Sequence, residues 1–283
     1  MPTRHPEYEY LGLMADIIKN GKSKPSRGIH SLKSVFGTQV RFDMRHGFPL
    51  LTTKKMPFKI LLHELLWFIS GSSDVTYLHE HNIHYWDGFL HEDSNDLGRV
   101  YGVQWRHWKR PDGQPEFDQL AWAINELKTN PDSKGIIVSA WNAGEIGDKR
   151  WNPNDYGDMR LPPCHTMFQF DLTKGKLRLQ LYQRSWDVFL GAPFNIAQYA
   201  MLLHMVAHLV DAEPRELIIA AGNAHLYKNH IDAAKEQLRR KPFPLPKLKI
   251  VGDVKNIDDF REENFVLEDY VSHPRIKTDL VIL

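Results

Sequence analysis

One cysteine, Cys164, stands among 283 residues, so an internal disulfide is excluded and a reducing compartment fits. A cytoplasmic location is expected on that ground. No run approaches the ~18 consecutive apolar residues that a membrane span requires, so no membrane partner is expected. The first residues, Met1-Pro-Thr-Arg-His-Pro6, carry none of the apolar stretch that a secretory signal needs. Charge of one sign is also missing. Thirty-six basic residues nearly cancel 35 acidic ones, leaving +1, which gives a nucleic-acid partner no support. There is no Gly-rich dinucleotide fingerprint and no phosphate-binding P-loop. The 15 histidines fall into no metal-ligand spacing, and no metal is expected.

What is present is the material of a core. Apolar residues make up 42% of the chain, eight of them tryptophan. No repeat, low-complexity tract or linker divides it, so residues 1–283 are expected to form one domain. Tyr10, Leu11, Met14, Ile17 and Ile18 recur at helical spacing and predict a helix over Glu7–Lys19, with Gly21 at its end. Lys22–Ser31 reads as a basic loop and Val35–Phe42 as a strand. Phe58–Ile69 is apolar almost all round and predicts a buried helix. Asp74–His81 and Phe117–Lys128 predict a short polar helix and an amphipathic one, and Ile136–Trp141 a strand. Gly144–Arg160 is rich in Gly, Asp, Asn and Pro and reads as a long loop. Thr166–Leu172 and Lys176–Gln183 alternate around Thr173-Lys-Gly175 and predict a hairpin. A long helix over Phe194–Val210, a strand over Leu217–Ala221, a helix over Ile231–Arg240 and an extended Pro242–Pro246 segment follow. The class this predicts is α+β, a mixed β-sheet with flanking helices.

Several residues look chemical. Cys164 sits in Leu161-Pro-Pro-Cys164-His165, where two prolines fix the backbone before a predicted strand. A thiolate so framed is a candidate nucleophile; a small buried hydrophobe is the other reading. Glu64 lies on the apolar helix with Ile60, Leu61, Trp67 and Phe68 on its face. Burial there would raise its pKa into the range for proton transfer, unless a core arginine pairs with it. Arg184 and Ser185 can hold an anion together, or Arg184 can pair with Asp187 nearby. Asn195 offers a donor and an acceptor that match the edge of a uracil, or it caps the long helix. His225 and Tyr227 face one side in extended geometry and can grip a sugar hydroxyl. Further anion contacts would come from Arg27, Lys54 and Lys134.

Seven runs, in this order, resemble the folate-dependent thymidylate synthase family across nearly the whole chain. They are Phe48-Pro-Leu-Leu-Thr-Thr-Lys54-Lys, His63-Glu64-Leu-Leu-Trp67-Phe, Val100-Tyr101-Gly-Val-Gln-Trp105-Arg, Ile136-Ile-Val-Ser-Ala-Trp141-Asn142, Pro163-Cys164-His165, Gln183-Arg-Ser-Trp-Asp187-Val-Phe-Leu-Gly191-Ala-Pro-Phe-Asn195-Ile, and His225-Leu-Tyr227-Lys-Asn-His230. The resemblance implies that Cys164 adds to C6 of dUMP and that 5,10-methylenetetrahydrofolate is the co-substrate. It implies a catalytic set of Cys164, Glu64, Asp187, Asn195, Tyr101 and Arg184. Substrate would be bound by Arg27, Lys134, Gln183, Arg184, Ser185, Asp187, Asn195, His225 and Tyr227. Folate would lie against Lys54, Trp86, Asp187, Gly191 and Phe194. A homodimer with a shared active site is also implied, each site borrowing phosphate-binding groups from its partner. The alternative within this chemistry is a pyrimidine nucleotide 5-hydroxymethylase using the same folate.

The chain departs from the family pattern at several places. Lys134 and Gly135 replace two adjacent arginines, and Arg27-Gly-Ile-His-Ser31 replaces a loop usually reading Arg-Thr-Gly-Thr-Gly. Weaker or rearranged phosphate binding is expected, with Lys22, Lys24 or Arg99 as candidate compensating cations. Tyr85-Trp86-Asp87-Gly88-Phe89 replaces Ile-Trp-Asp-x-Trp, and Asn223 replaces an aspartate. The loop Ile146–Arg160 carries extra residues, and the tail Lys277–Leu283 differs from the usual apolar one.

Overall fold

A computed structural model describes residues 4–25, 31–90, 94–147 and 159–278. In chain order the helices are α1 (Glu7–Asn20), α2 (Phe58–Ser70), α3 (Thr76–Glu80), α4 (Gly102–Arg106), α5 (Gln119–Thr129), α6 (Gly191–Leu209) and α7 (Ile231–Leu238). The strands are β1 (Lys22–Lys24), β2 (Leu32–Asp43), β3 (Ile137–Ser139), β4 (His165–Thr173), β5 (Lys176–Asp187), β6 (Glu213–Tyr227), β7 (Lys247–Ile250) and β8 (Phe265–Glu268). Six of them form one mixed sheet in the order β1-β2-β6-β5-β4-β3. Only β5 and β6 run parallel, so α6 between them is a crossover that packs on the sheet. The fold is α+β with flanking helices, as expected.

Alternation builds the sheet's inner face. Leu177, Leu179 and Leu181 of β5 and Phe168 and Phe170 of β4 are buried, while Met167 and Tyr182, directly opposite each other, remain exposed. Against that inner face lies α6, buried on nearly every side, and each leucine it hides contributes ~1.5–3 kcal/mol. α2 packs beside α6 and α4; its Lys59 and His63 face Glu262, and Glu64 is buried among the apolar residues of the helix.

Four sequence expectations change. Lys22–Lys24 pairs with β2 as an edge strand, where a loop was expected. β2 and β6 are longer than the apolar runs Val35–Phe42 and Leu217–Ala221, because their polar ends also pair: Leu32 with Tyr227 and Ser34 with His225. α6 begins at Gly191 rather than Phe194, so Asn195 lies inside its first turns and is no cap. The two-stranded sheet β7–β8 and the short α4 carry no periodicity that a sequence window detects. Of the expected long loop, residues 148–158 lie outside the described residues; Met159 bridges Gly98 beyond it.

Candidate active site

The Pro162-Pro163 turn delivers Cys164 to the start of β4, and Arg184 on β5 folds back to hold it. Its backbone N–H donates to Cys164 O at 2.7 Å. Its guanidinium donates to Pro163 O at 3.0 Å and Pro162 O at 2.9 Å, leaving Nη2 3.9 Å from Cys164 Sγ. The same guanidinium sits 5.6 Å over the Trp141 ring. No ion pair joins Arg184 to Asp187. Asp187 instead accepts from the backbone N–H groups of Phe189 (2.9 Å) and Leu190 (3.1 Å).

Tyr101 supports Cys164 from the other side. Its hydroxyl accepts from the Cys164 N–H at 3.1 Å, and its ring stacks on His165 at 4.0 Å. Tyr101 has φ +35°, a costly conformation for a bulky residue, held in place by α4 behind it. Burial pushes the Cys164 thiol up; the Arg184 charge and the Tyr101 hydroxyl pull it back down in part. His165 is buried and its pKa is pushed down to about 3, so its ring is neutral.

Glu64 is buried without an arginine, and no ion pair reaches it among the described residues. Trp86 Nε1 donates to one carboxylate oxygen at 2.7 Å and Gln198 Nε2 to the other at 2.6 Å. Burial raises its pKa, while Gln198, Trp86 and Tyr85 pull the other way. Trp86 joins this carboxylate to the thiol, its ring lying 5.7 Å from that of Tyr101.

The remaining residues complete the ring of contacts. Gln183 Nε2 donates to Ser185 O at 3.0 Å and lies 3.4 Å from Asn195 Oδ1, and the buried Gln183 Oε1 has no partner. Gly191 brings Asp187 and Asn195 together; a Cβ on it would lie 3.8 Å from one and 3.9 Å from the other. His225 stands directly opposite Asp187 on the parallel pair β5–β6, with Asn223 Oδ1 3.1 Å from its Nδ1. Burial lowers the His225 pKa, and Asp187 partly restores it. Tyr227 stacks edge-on to His225 at 5.2 Å and is pushed up to about 12, by burial and then by the charges of Asp187 and Cys164. Lys54 is buried with Nζ donating to Phe189 O and lying 4.0 Å over the Phe189 ring; burial lowers its pKa to about 7. Phe194 and Tyr85 meet edge to face at 6.0 Å beside Trp86.

One expected residue is not brought to Cys164. Lys134 is exposed at the far end of the sheet edge, where β3 meets Phe170. Six residues of strand separate Phe170 from Cys164, ~20 Å at the rise of an extended chain. Arg27 lies outside the described residues. Arg99 is no spare anion ligand: it pairs with Glu145 at 3.0 Å and Glu116 at 3.5 Å. Lys22 and Lys24 lie exposed on β1. Sequence reasoning noted Tyr85 as a change in the folate-wall motif but not its place beside Glu64, and it missed Gln198. Gln198 had a signal, since it is a polar residue one turn from Asn195 in a stretch of the helix that is otherwise largely apolar.

Fold and site together define a class: an α+β scaffold on which a framed thiol, a buried carboxylate and a row of amide, hydroxyl and imidazole groups converge at the ends of parallel strands. A family model described as thymidylate synthase matches residues 8–282. The chain therefore belongs to the thymidylate synthase family, and it is an enzyme of the methyltransferase kind that acts on dUMP with a methylenetetrahydrofolate-type co-substrate. Among the described residues no helix is long and apolar enough to cross a membrane.

Proposed function

We propose that the protein converts dUMP to dTMP by reductive methylation with 5,10-methylenetetrahydrofolate, giving dihydrofolate, and that Cys164 is the covalent nucleophile. The observation that supports this best is the pairing of Cys164, held by Arg184 and Tyr101, with a Glu64 that has two neutral donors and no cation. A carboxylate so held can take up and release a proton, which a salt-bridged one resists.

The thiolate adds to C6 and the electron pair moves to C5, which becomes a carbon nucleophile. The folate supplies the one-carbon unit and, for methylation, the hydride. C5 bonds to the folate methylene. Loss of the C5 proton, with Glu64 moving protons near the base, then expels the folate nitrogen and leaves an exocyclic methylene. Hydride added to that carbon drives out the thiolate and restores the C5–C6 double bond. Asn195 reads the N3–H and O4 edge, steadied by Gln183, whose unpartnered Oε1 awaits a donor. Arg184 and Ser185, with Arg27, hold the phosphate, and His225 with Tyr227 holds the 3′-hydroxyl. Trp86, Phe194, Gly191, Asp187 and Lys54 form the folate side, where the aromatic faces suit a fused-ring ligand and Asp187 and Lys54 offer polar contacts.

A second reading, hydroxymethylation, has one observation behind it. The buried Tyr85 hydroxyl, where the family usually has isoleucine, faces the Glu64 carboxylate and brings a polar group to the wall beside it. Water held there would replace hydride as the trap. We also propose a homodimer. Ile137, Met167 and Tyr182 stay exposed on the sheet, which a second copy would cover, and Lys134 would then serve the partner's site.

Product analysis tests the reading. The protein is incubated with methylenetetrahydrofolate and each of dUMP, dCMP, UMP and CMP. A methyl product from dUMP with matching dihydrofolate absorbance is expected. A hydroxymethyl product without dihydrofolate selects the second reading, and no product from any of the four overturns both.

A further inference from the structure

Away from the thiol, the chain reverses sharply after α3. His81 closes the helix and Asn82 follows with φ +57°, the left-handed conformation that asparagine tolerates. The reversal returns His84 and the 3-10 turn Asp87–Phe89 over the end of α3. His79 Nε2 then lies 2.7 Å from Asp87 Oδ1, and His84 Nδ1 lies 3.3 Å from Asp87 Oδ2. The two imidazoles stack with centroids 5.0 Å apart and planes 20° apart. One ligand atom from each of the three residues falls within 4.8 Å of the other two.

We propose that His79, His84 and Asp87 form a binding site for a zinc-like divalent ion, with water completing its coordination. Zinc bonds nitrogen and oxygen at ~2.0–2.2 Å, which spaces tetrahedral ligand atoms ~3.4 Å apart. The two nitrogen–oxygen separations, 2.7 and 3.3 Å, lie at or below that value, and all three ligand atoms fall within 4.8 Å of one another, so small side-chain rotations suffice. Two imidazoles and one carboxylate select zinc over magnesium, which demands an oxygen shell and keeps its waters. His81, the nearest other histidine, is turned away: its Nδ1 lies 2.8 Å from Tyr77 O, and its ring packs 3.7 Å from that of His63. The linear spacing hides the cluster, because a turn rather than a helix face brings His84 and Asp87 back to His79.

The site touches the chemistry through one residue. Trp86 precedes Asp87, and its indole N–H donates to Glu64 at 2.7 Å. An ion shared by His79, His84 and Asp87 cross-links this segment to α3 and so fixes the indole on the carboxylate. The inference rests on the cluster alone and stands whichever product the enzyme makes.

Calorimetric titration of the full chain with zinc chloride at pH 7.5 tests it, in a Cys164→Ser background that removes the thiol as a competing ligand. One ion per chain is expected, with an affinity on the order of micromolar or tighter, and no heat from magnesium chloride. His79→Gln and His84→Gln should each weaken binding at least tenfold, and His81→Gln should leave it unchanged. Binding should also weaken from pH 7.5 to 5.5, since the imidazoles must be neutral to ligate. Thermal melts confirm that each variant is folded. Zinc binding that survives both His79→Gln and His84→Gln, binding lost with His81→Gln, or no saturable uptake by the unsubstituted site overturns the proposal. Hydrogen exchange of residues 84–89 should slow with zinc; unchanged exchange overturns the cross-link.

Discussion

Cys164 is bracketed by groups that act on its charge in opposite directions. Burial raises the thiol, whereas the guanidinium 3.9 Å away and the Tyr101 hydroxyl favour the thiolate. Formation of the covalent adduct with dUMP should therefore accelerate as pH rises from 6 towards 9, readable in stopped-flow absorbance. Cys164→Ser should lower turnover by ~10³-fold or more with the fold intact, because a hydroxyl at this pH is a far poorer nucleophile. A serine variant of near-normal activity would exclude the covalent route. Glu64→Gln should be as inactive and cost ~1–2 kcal/mol of stability, since the neutral amide is cheaper to bury but turns one oxygen that accepts from Trp86 or Gln198 into a donor. His165 gives a stability signature of its own. Its folded pKa is about 3 against ~6.5 in the unfolded chain. Between those values the unfolded state binds a proton that the native state does not. Stability is thus full above pH ~6.5 and falls as pH drops towards 3, by up to ~1.4 kcal/mol per unit from this residue. Urea melts at pH 7.5, 6 and 5 should show a shallower decline in His165→Gln.

Two contacts hold the elements that carry these residues, and both lie beyond what periodicity can reveal. Glu7 of α1 is buried and accepts from Thr52 N (2.9 Å), Thr52 Oγ1 (2.6 Å), Thr53 N (2.9 Å) and Thr53 Oγ1 (2.5 Å). It thereby fixes the segment that ends in Lys54. Glu7→Gln turns one acceptor oxygen into a donor facing donors, and should cost ~2–3 kcal/mol in a denaturant titration. Gly102 opens α4 against α2 so closely that a Cβ would stand 2.0 Å from Phe68 O. Gly102→Ala should therefore destabilise the chain and loosen Tyr101, with activity falling alongside melting temperature. From sequence, Glu7 is only a residue in a helix and Gly102 only a glycine within a motif, because their partners lie 45 and 34 positions away. The alternation of Leu177, Leu179 and Leu181 and the apolar stripes of α1 and α2 were legible because each is local. The pairing of Lys22–Lys24 with β2, and of β7 with β8, depends on distant chain and was not. The same division holds at the site. Spacing marked Glu64 as odd yet left an arginine partner open; the two neutral donors come from Trp86 and Gln198 on other segments. Most of the other roles were legible only through the order of the seven motifs, which is family resemblance rather than physics.

At the scale of the whole molecule, the sheet has, among the described residues, one face covered by helices and one that presents exposed apolar side chains. Helix α6 buries the inner side, while Ile137, Met167 and Tyr182 present apolar surface outward. Sedimentation should show a dimer at micromolar concentration, and Tyr182→Glu should shift it towards monomer by placing a charge where the cross-strand pair with Met167 is apolar. Lys134 turns this into a question of function. It lies at the sheet edge, ~20 Å of strand from the thiol of its own chain, so a phosphate contact requires a second copy. Complementation separates the two arrangements. Lys134→Glu should weaken turnover at low dUMP, and Cys164→Ser should abolish it. A heterodimer of the two holds one site with an intact thiol and an intact lysine lent by its neighbour. Equal mixing with subunit exchange makes half the dimers hybrid, each with one such site of two, so about a quarter of wild-type activity should return at low dUMP. Activity that stays at the average of the two unmixed variants, once exchange is verified by mass, would mean that Lys134 serves no site across the interface.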